Sequence, residues 1–322
     1  MEGPTARRVK LGLALGGGAA RGWSHIGVLR VLEEAGIVPD VIAGSSIGAV
    51  VGGCYAAGKL ETLENFATSL TKRGVVGLMD FHISGSGLIA GNRVRKLLDR
   101  DLRDFRIEAL PVRFGAIATE LGTGHEIWLT RGSLVDAMRA SYALPGVFDP
   151  VKLGGRWLMD GALVNPVPVT AARALGADVV VCVNLNGDIR LRGTVIQSLD
   201  TEPMGPETAA VAQPAEDADQ PWLWSMLPGR KGRPKGESAP GMATVMVDAF
   251  NITQDRISRS RLAGDPPDLM IAPKLALMGL FEFQRAAECI ELGRQAAQRA
   301  LPDIRELIAD VGAAGRNPGA GP

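Results

Sequence analysis

A serine lies between two glycines at residues 44–48, where the chain reads Gly-Ser-Ser-Ile-Gly. The apolar residues before this segment predict a short buried strand, and the small apolar residues 47–57 predict a buried helix after it. A serine in such a turn can serve as a nucleophile, because Gly44 and Gly48 let the strand and the helix approach closely. The helix N-terminus also favours negative charge that develops beside Ser46. The pattern therefore indicates nucleophilic catalysis. The alternative is that the segment forms only an ordinary turn.

The histidines of the chain limit which base could activate this serine. A serine hydroxyl is a poor nucleophile until a neighbouring base removes its proton, and that base is most often a histidine. The chain has three histidines, His25, His82 and His125. An α/β-hydrolase carries its triad in the order serine, acid, histidine, and the C-terminal half of this chain contains no histidine. The sequence therefore argues against such a triad and favours a carboxylate as the direct base.

Asp160 is the candidate carboxylate. It follows the apolar residues Trp157–Met159, which predict a short strand, and it precedes a turn at Gly161 and Ala162. Because parallel sheets place their sites at the ends of strands, this carboxylate could face the same crevice as Ser46. The alternative is that Asp160 only initiates a turn, which is a common role for aspartate before glycine.

A glycine-rich segment, Gly-Gly-Gly-Ala-Ala-Arg-Gly, occupies residues 16–22. Its backbone amides could stabilise an oxyanion, since glycines place no side chain in the way. The competing interpretation is a dinucleotide-binding loop, which expects an acidic residue at the end of the second strand. That strand ends in Gly44-Ser45-Ser46, and Asp40 lies before it. An esterase therefore explains both loops, whereas a nucleotide-binding domain explains only one.

Strands and helices alternate along the first part of the chain. Residues 11–15 predict a strand, 23–35 a helix, 41–43 the end of a second strand and 47–57 a second helix. This alternation is typical of a parallel sheet covered by helices. Further strands are predicted at 111–118, 126–130, 157–159, 179–183 and 269–272. Further helices are predicted at 93–102, 133–142 with Ser133 as N-cap, 170–175, 242–260 and 282–300.

The composition indicates a globular chain. Of its 322 residues 46% are hydrophobic, and 35 basic residues balance 35 acidic ones, which favours one large domain without attraction to nucleic acid. The three widely spaced cysteines predict reduced core thiols rather than a disulfide or a zinc site. The apolar run at 11–15 is too short for a signal peptide, and no run is long enough to span a bilayer. We therefore expect a cytoplasmic protein, soluble or peripheral at the inner face of the membrane.

These segments resemble those of the bacterial patatin-like phospholipase family. Residues 16–22 are similar to the family's oxyanion loop, residues 44–48 to its nucleophile elbow and residues 160–162 to its Asp-Gly-Gly/Ala motif. Residues 140–148, Ala-Ser-Tyr-Ala-Leu-Pro-Gly-Val-Phe, resemble the family's segment between the nucleophile and the aspartate. Three motifs in the right order make the resemblance highly specific.

The resemblance covers about residues 10–186 and, less clearly, 243–300. It implies a three-layer patatin-like α/β fold, with a mostly parallel central sheet and helices on both faces. It also implies a Ser-Asp dyad without a cofactor or metal, in which Ser46 is the nucleophile and Asp160 the general base. The substrates implied are fatty acyl esters of phospholipids or lysophospholipids. The alternative is a patatin-like protein that binds acyl groups or lipids, or regulates, without turnover.

The resemblance also implies supporting roles around the dyad. The residues expected around the oxyanion hole are Gly16, Gly17, Gly18, Ala19, Arg21 and Gly22. Those expected to support the other two motifs are Gly44, Gly48, Gly161 and Ala162. We favour the amides of Gly17 and Gly18 as oxyanion donors, and Ala19 stands where many relatives have a further glycine. Arg21 is expected to brace the loop, and His25 is expected to be a structural residue of the first helix.

The composition changes at residues 187–241, which are rich in Pro, Gly, Glu, Asp and Gln and predict a largely disordered insert. The insert holds Trp222 and Trp224, followed by basic residues that include Arg230 and Lys231. These residues could contact an anionic membrane surface, and the alternative is a linker with incidental tryptophans. The predicted organisation is a tail at 1–9, a catalytic core at 10–186, the insert, C-terminal helices at 242–310 that complete the same domain, and a disordered tail at 311–322.

Overall fold

The computed structural model describes residues 8–78, 87–89, 92–187 and 242–314. The predictions for His82, Trp222, Trp224, Arg230 and Lys231 lie outside the described residues, as does nearly all of the predicted insert. The described strands are β1 (Leu11–Leu15), β2 (Val41–Ser45), β3 (Gly87–Ile89), β4 (Arg113–Glu120), β5 (Glu126–Leu129), β6 (Gly146–Phe148), β7 (Val151–Leu153), β8 (Arg156–Asp160), β9 (Val179–Val183) and β10 (Leu269–Ile271). The described α-helices are α1 (Ser24–Glu34), α2 (Ile47–Ala56), α3 (Leu60–Ser69), α4 (Lys72–Leu78), α5 (Asn92–Leu102), α6 (Leu134–Tyr142), α7 (Val169–Ala174), α8 (Met242–Gly264) and α9 (Ala286–Ala314).

Eight of these strands form one mixed sheet in the order β10-β9-β1-β2-β4-β8-β7, with β5 paired to β4. The strands from β10 to β4 are mutually parallel, whereas β5 and β8 are antiparallel to β4. The register places Leu15 opposite Gly44 and Ser45 opposite Ile117. The carboxyl ends of the parallel strands therefore lie side by side along one border, which we call the carboxyl edge. The two short strands β3 and β6 form a separate parallel pair.

Helices cover both faces of the main sheet. Alternate side chains of a strand point to opposite faces, so Leu13 and Ala14 of β1 report on the two sides. Leu13 belongs to a cluster that includes Leu29 of α1 and Val51 of α2, whereas Ala14 packs in a cluster with Ala172 of α7. All five side chains are fully buried. The predicted three-layer α/β fold is therefore confirmed.

The last described helix packs closely on the first. A Cβ at Gly27 of α1 would clash with the carbonyl oxygen of Ile290, and a Cβ at Gly293 of α9 would clash with the carbonyl oxygen of Ser24. Only glycine permits two helix backbones to approach this closely. Because α1 begins directly after the glycine-rich segment, α9 supports the element that carries this segment.

Most predicted elements are confirmed to within a few residues. The N-cap of α6 is Ser133, whose side chain accepts a hydrogen bond of 3.2 Å from the amide of Asp136. The predicted end of the closing helix at residue 300 is wrong, because α9 continues through Pro302 to residue 314. Ile304 is fully buried, and its packing offsets the helix hydrogen bond that proline cannot make. Residues 311–314, predicted as part of a disordered tail, are therefore helical.

Two further differences concern short elements. The end of the glycine-rich segment, Ala19–Trp23, forms a 3-10 helix instead of remaining a loop. The strands β6 and β7 have three residues each and were not predicted. Gly146 and Lys152 interrupt the apolar character of these two segments, and pairing with a neighbouring strand decides their conformation.

Candidate active site

Ser46 occupies the turn between β2 and α2 and is the N-cap residue of that helix. Its backbone has φ 55° and ψ −124°, a region that residues other than glycine rarely enter. The turn is tight, since a Cβ on Gly44 would clash with the backbone of Ala49 and a Cβ on Gly48 would clash with the carbonyl of Leu15. Backbone strain of this kind costs about 1–3 kcal/mol and clusters at functional sites. The turn places Ser46 at the carboxyl edge, where it retains 8% exposure.

Asp160, the last residue of β8, lies against the Ser46 hydroxyl. Ser46 Oγ donates a hydrogen bond of 2.6 Å to Asp160 Oδ2, although the two residues are 114 positions apart. The other carboxylate oxygen, Oδ1, accepts a hydrogen bond of 2.8 Å from the amide of Ala162. The backbone of Asp160 is also held, because its amide donates to the carbonyl of Ala143 and its carbonyl accepts from Thr119 Oγ1. The carboxylate therefore has a fixed orientation toward Ser46.

Burial controls the acidity of this carboxyl. Desolvation raises the pKa of Asp160 from 3.8 to about 7, because the ionised form loses its hydration in a site that is only 2% exposed. The hydrogen bonds from Ser46 and Ala162 lower the pKa, but their effect is smaller than that of desolvation. A carboxyl that titrates near neutral pH can both accept a proton and return it during a reaction.

The structure corrects the expected set of oxyanion donors in the glycine-rich segment. The amide of Gly16 donates to the carbonyl of Val183 over 3.1 Å, and the amide of Gly17 donates to the carbonyl of Pro166 over 2.9 Å. Both amides therefore already have acceptors within the fold. Of the two favoured donors, Gly17 and Gly18, the amide of Gly17 is not available to an oxyanion. Gly17 still matters sterically, because a Cβ there would lie 2.9 Å from the Cβ of Ala162 and 3.4 Å from the Cβ of Ser46.

Two amides of the same segment and one of α2 have no acceptor among the described residues. Within the described part of the chain, the amides of Gly18 and Ala19 donate no hydrogen bond, and neither does that of Ile47, the first residue of α2. Ala19 has φ 48°, a left-handed conformation that favours glycine. This conformation explains why glycine suits the position at which this chain has alanine. The amide of Arg21, by contrast, bonds back to the carbonyl of Gly18.

Two side chains, those of His25 and Arg21, connect the glycine-rich segment to its surroundings. His25 is fully buried on α1, and its Nε2 lies 2.8 Å from the carbonyl oxygen of Gly16, so Nε2 must carry the proton that it donates. Burial lowers the pKa of His25 to about 4, which keeps the ring neutral at pH 7. Arg21 Nε donates to the carbonyl of Met278 over 2.9 Å, and its guanidinium also reaches Asn186 Oδ1 at 3.5 Å. His25 thus contacts the backbone of the segment, whereas Arg21, which belongs to the segment, attaches it to Met278 and Asn186.

Ser141 of α6 is a site residue to which the sequence assigned no role. Its Oγ accepts a hydrogen bond of 2.9 Å from the backbone amide of Ser46, and its side chain is fully buried. The residue lies in the segment 140–148, and the resemblance of that segment to the family's segment between the nucleophile and the aspartate is a signal that could have drawn attention to it. Its contact depends on how α6 packs beside the turn at Ser46, which the local sequence does not specify.

The described residues include no cluster suited to a metal ion. In residues 8–78, 87–89, 92–187 and 242–314, no group of three or more His, Cys, Asp or Glu side chains lies close enough to hold one. Cys54, Cys182 and Cys289 are buried free thiols, as predicted. Burial raises the pKa of each of these thiols to about 12, so they remain protonated and unreactive at neutral pH.

A family model described as patatin-like phospholipase matches residues 13–173, which is half of the chain. The matched residues include the glycine-rich segment, Ser46 and Asp160. The chain belongs to the patatin-like phospholipase family. Membership of this family implies acyl hydrolase activity on lipids, and the expected family is thereby confirmed.

Curated relatives carry related names. An uncharacterized NTE family protein of Mycobacterium bovis, and one of Mycobacterium tuberculosis, are each 35% identical to this patatin-like chain over 350 aligned positions, covering 94% of the chain and 95% of the relative. The patatin-like phospholipase domain-containing protein 6 of Mus musculus is 32% identical over 182 positions, which cover 54% of the chain and 13% of that protein.

A solved structure, VipD from Legionella pneumophila, aligns with 92% of the chain and 67% of its own, with a TM-score of 0.41 and 13% sequence identity. Among the described residues, no helix of this patatin-like chain is both long enough and apolar enough to cross a membrane.

Proposed function

We propose that this protein is a serine acyl hydrolase that cleaves fatty acyl esters of phospholipids or lysophospholipids with a Ser-Asp dyad. The observation that carries the proposal is the hydrogen bond of 2.6 Å from Ser46 Oγ to Asp160 Oδ2. Nucleophile and base must lie within hydrogen-bond reach, and here they do so without a histidine between them. The strained turn at Ser46 and the raised pKa of Asp160 fit the same function.

In the proposed mechanism, ionised Asp160 accepts the proton of Ser46 as Oγ attacks the ester carbonyl. Protonated Asp160 then returns the proton to the departing alcohol oxygen, which leaves an acyl ester on Ser46. A water molecule, whose proton Asp160 accepts, attacks this ester, and Ser46 Oγ regains a proton as the fatty acid leaves. The hydrogen bond from Ala162 keeps the carboxylate oriented in each step.

The oxyanion of each tetrahedral intermediate needs hydrogen-bond donors. We assign this role to the amides of Gly18 and Ala19, together with that of Ile47, because these amides lack acceptors within the described chain. Each well-placed oxyanion donor is worth about 2.7–4 kcal/mol of barrier lowering. His25 and Arg21 support the proposal indirectly, since His25 contacts the backbone of the donor segment and Arg21 attaches the end of that segment to the carbonyl of Met278.

A small apolar cluster favours an acyl substrate. Buried Val147 and Phe281 pack together with the partly buried Leu144, Phe148, Leu280 and Phe283. The cluster adjoins both halves of the candidate site. Leu144 follows Ala143, whose carbonyl accepts the amide of Asp160, and the carbonyl of Leu280 accepts the amide of Ala20. An acyl chain lying on this cluster would thus start close to the dyad.

The test is fatty acid release from p-nitrophenyl esters, phospholipids and lysophospholipids, measured for the wild type and for Ser46→Ala. We expect release by the wild type and none by the variant, whose fold should be intact because Ser46 is not part of the apolar core. A fluorophosphonate probe should label the wild type and not Ser46→Ala. A folded Ser46→Ala protein that still releases fatty acid would refute the mechanism. A folded wild type that neither hydrolyses nor labels would instead favour lipid binding without turnover.

A further inference from the structure

Three large apolar side chains are exposed at the carboxyl edge of the sheet. Leu277, in the segment after β10, is 84% exposed, and Leu121 and Trp157 are each 49% exposed. Leu121 follows β4 directly, and its amide donates to the carbonyl of Trp157 over 2.8 Å. Single exposed apolar residues are common on protein surfaces, but these three share one border of the molecule.

The strand order places these side chains on both sides of Ser46. β10 lies at one end of the sheet, β4 and β8 lie toward the other, and β2, which leads to Ser46, lies between them. Because the strands from β10 to β4 are parallel, the segments that follow β10, β2 and β4 leave from the same edge. Leu277 and Leu121 therefore flank the turn that carries the nucleophile.

Two lysines accompany the apolar side chains. Lys152 Nζ lies 5.5 Å from the centroid of the Trp157 ring, and exposed Lys274 precedes Leu277 in the same segment. In the part of the chain that the structure describes, neither ammonium group forms an ion pair with a carboxylate. An apolar group beside an unpaired cation suits a membrane interface, where the apolar group enters the acyl boundary and the cation meets lipid phosphates.

We propose that the carboxyl edge docks on an anionic phospholipid bilayer through a docking face formed by Leu121, Lys152, Trp157, Lys274 and Leu277. This inference rests on the proposed function, because a bilayer would supply the lipid substrate. The apolar side chains of the docking face are exposed at separate points on both sides of the nucleophile turn, which suits a fluid lipid surface. Its unpaired lysines complement anionic headgroups.

Binding is measured without catalysis, in the full-length Ser46→Ala protein, by co-sedimentation with phosphatidylcholine vesicles prepared with and without phosphatidylglycerol. This Ser46→Ala protein, the parent of the variants below, should bind the vesicles that contain phosphatidylglycerol, and added salt should weaken the binding. Leu121→Ser combined with Leu277→Ser should weaken it at least about tenfold. Lys152→Glu combined with Lys274→Glu should abolish the preference for phosphatidylglycerol.

Val38 provides the matched control. It is 54% exposed in the segment before β2, at the opposite edge of the sheet, so Val38→Ser removes a similar exposed side chain away from the docking face. Val38→Ser should bind vesicles as the parent does. Circular dichroism should show that all variants are folded, because the substituted side chains are exposed and the core is unchanged.

The outcomes separate docking from catalysis. The docking proposal would be overturned if the Ser46→Ala parent did not bind vesicles, or if both double variants bound them as strongly as the parent. It would also be overturned if Val38→Ser weakened binding as much as the double variants do. With Ser46 restored, the double variants should hydrolyse a soluble short-chain ester at the wild-type rate but lose activity on vesicles. If the wild type fails on the soluble ester while the parent binds vesicles as described, the proposed catalytic function is overturned and docking is retained.

Discussion

The backbone amide of Ser46 donates a hydrogen bond of 2.9 Å to the Oγ of Ser141, and Ser141 is fully buried. In the strained turn at Ser46 this amide points away from the helix hydrogen-bond pattern and would otherwise be a buried donor without an acceptor. Leaving such a donor unsatisfied costs about 1–3 kcal/mol. Ser141 therefore contributes to holding the conformation that presents the Ser46 hydroxyl to Asp160.

Ser141→Ala should lower both stability and turnover, because the Ser46 amide loses its acceptor. We expect unfolding free energy to fall by about 1–3 kcal/mol and kcat to fall by roughly tenfold or more, with KM little changed. Denaturant titration and steady-state kinetics measure the two effects. Ser45→Ala is the matched control, since Ser45 is fully buried nearby and its Oγ makes no hydrogen bond within the described chain. Equal kcat values for the two variants would contradict the role of Ser141.

Asp160→Asn should abolish ester hydrolysis and yet raise stability above neutral pH. The pKa of Asp160 is about 7 in the folded protein and near 3.8 when unfolded, so folding favours the protonated form. The contribution of protonated Asp160 to the free energy of unfolding is fully present below pH 4. It falls as the pH rises toward 7 and remains lost above pH 7. The change corresponds to about 4 kcal/mol as an upper limit. An amide avoids this loss and can still accept from Ala162.

Thermal unfolding measured from pH 5 to pH 9 tests this expectation. The Tm of Asp160→Asn should exceed that of the wild type by a margin that grows with pH, until it levels off above pH 7. Asp136→Asn, on the partly exposed surface of α6, is the matched change of an aspartate outside the candidate site. Parallel curves for the wild type and Asp160→Asn would mean that the buried carboxylate is not destabilising.

The pH dependence of hydrolysis should report the same carboxyl. Only ionised Asp160 can accept the proton of Ser46, so kcat/KM on a soluble ester should rise with pH and level off above an apparent pKa of about 7. The neutral His25, with its pKa near 4, should add no second limb in this range. A rate that is constant from pH 5 to pH 9 would argue against Asp160 as the base.

Ala19→Gly should stabilise the protein slightly and leave hydrolysis intact. Relief of the left-handed strain at φ 48° should raise the free energy of unfolding by about 1–2 kcal/mol. The greater freedom of glycine in the unfolded chain should lower it by about 0.4–1 kcal/mol. The neighbouring Ala20→Gly is the control, because Ala20 is fully buried without a positive φ, and this change should destabilise. Chemical denaturation of both variants measures the two changes in the free energy of unfolding. If Ala19 were unstrained, Ala19→Gly would destabilise the protein as Ala20→Gly does.

Local signals predicted most elements and the candidate pair Ser46 and Asp160, whereas they did not predict the polar contacts around that pair. β1 and β9 are continuous apolar runs that are buried on both faces, and β2 is such a run as far as Gly44, so their sequences alone indicate central parallel strands. Ser46 and Asp160 lie at motif positions that their neighbours mark. The occupation of the Gly17 amide by Pro166, by contrast, joins segments about 150 residues apart through the packing of the sheet.

The same distinction holds for the ends of elements. Pro302 is a strong local signal against helix, but the burial of Ile304 beyond it outweighs that signal. Ser141 is also a weak helix former whose value lies in a contact with a distant turn. Tertiary contacts therefore decided what composition and periodicity left open.

The burial of all three thiols makes the chain ready for site-specific labelling without removal of any native cysteine. Cys54, Cys182 and Cys289 are at most 3% exposed, whereas the side chain of Leu277 is 84% exposed. A single Leu277→Cys substitution should therefore give one position that reacts with maleimide dyes under native conditions. A polarity-sensitive dye attached there would report directly on the surroundings of the carboxyl edge.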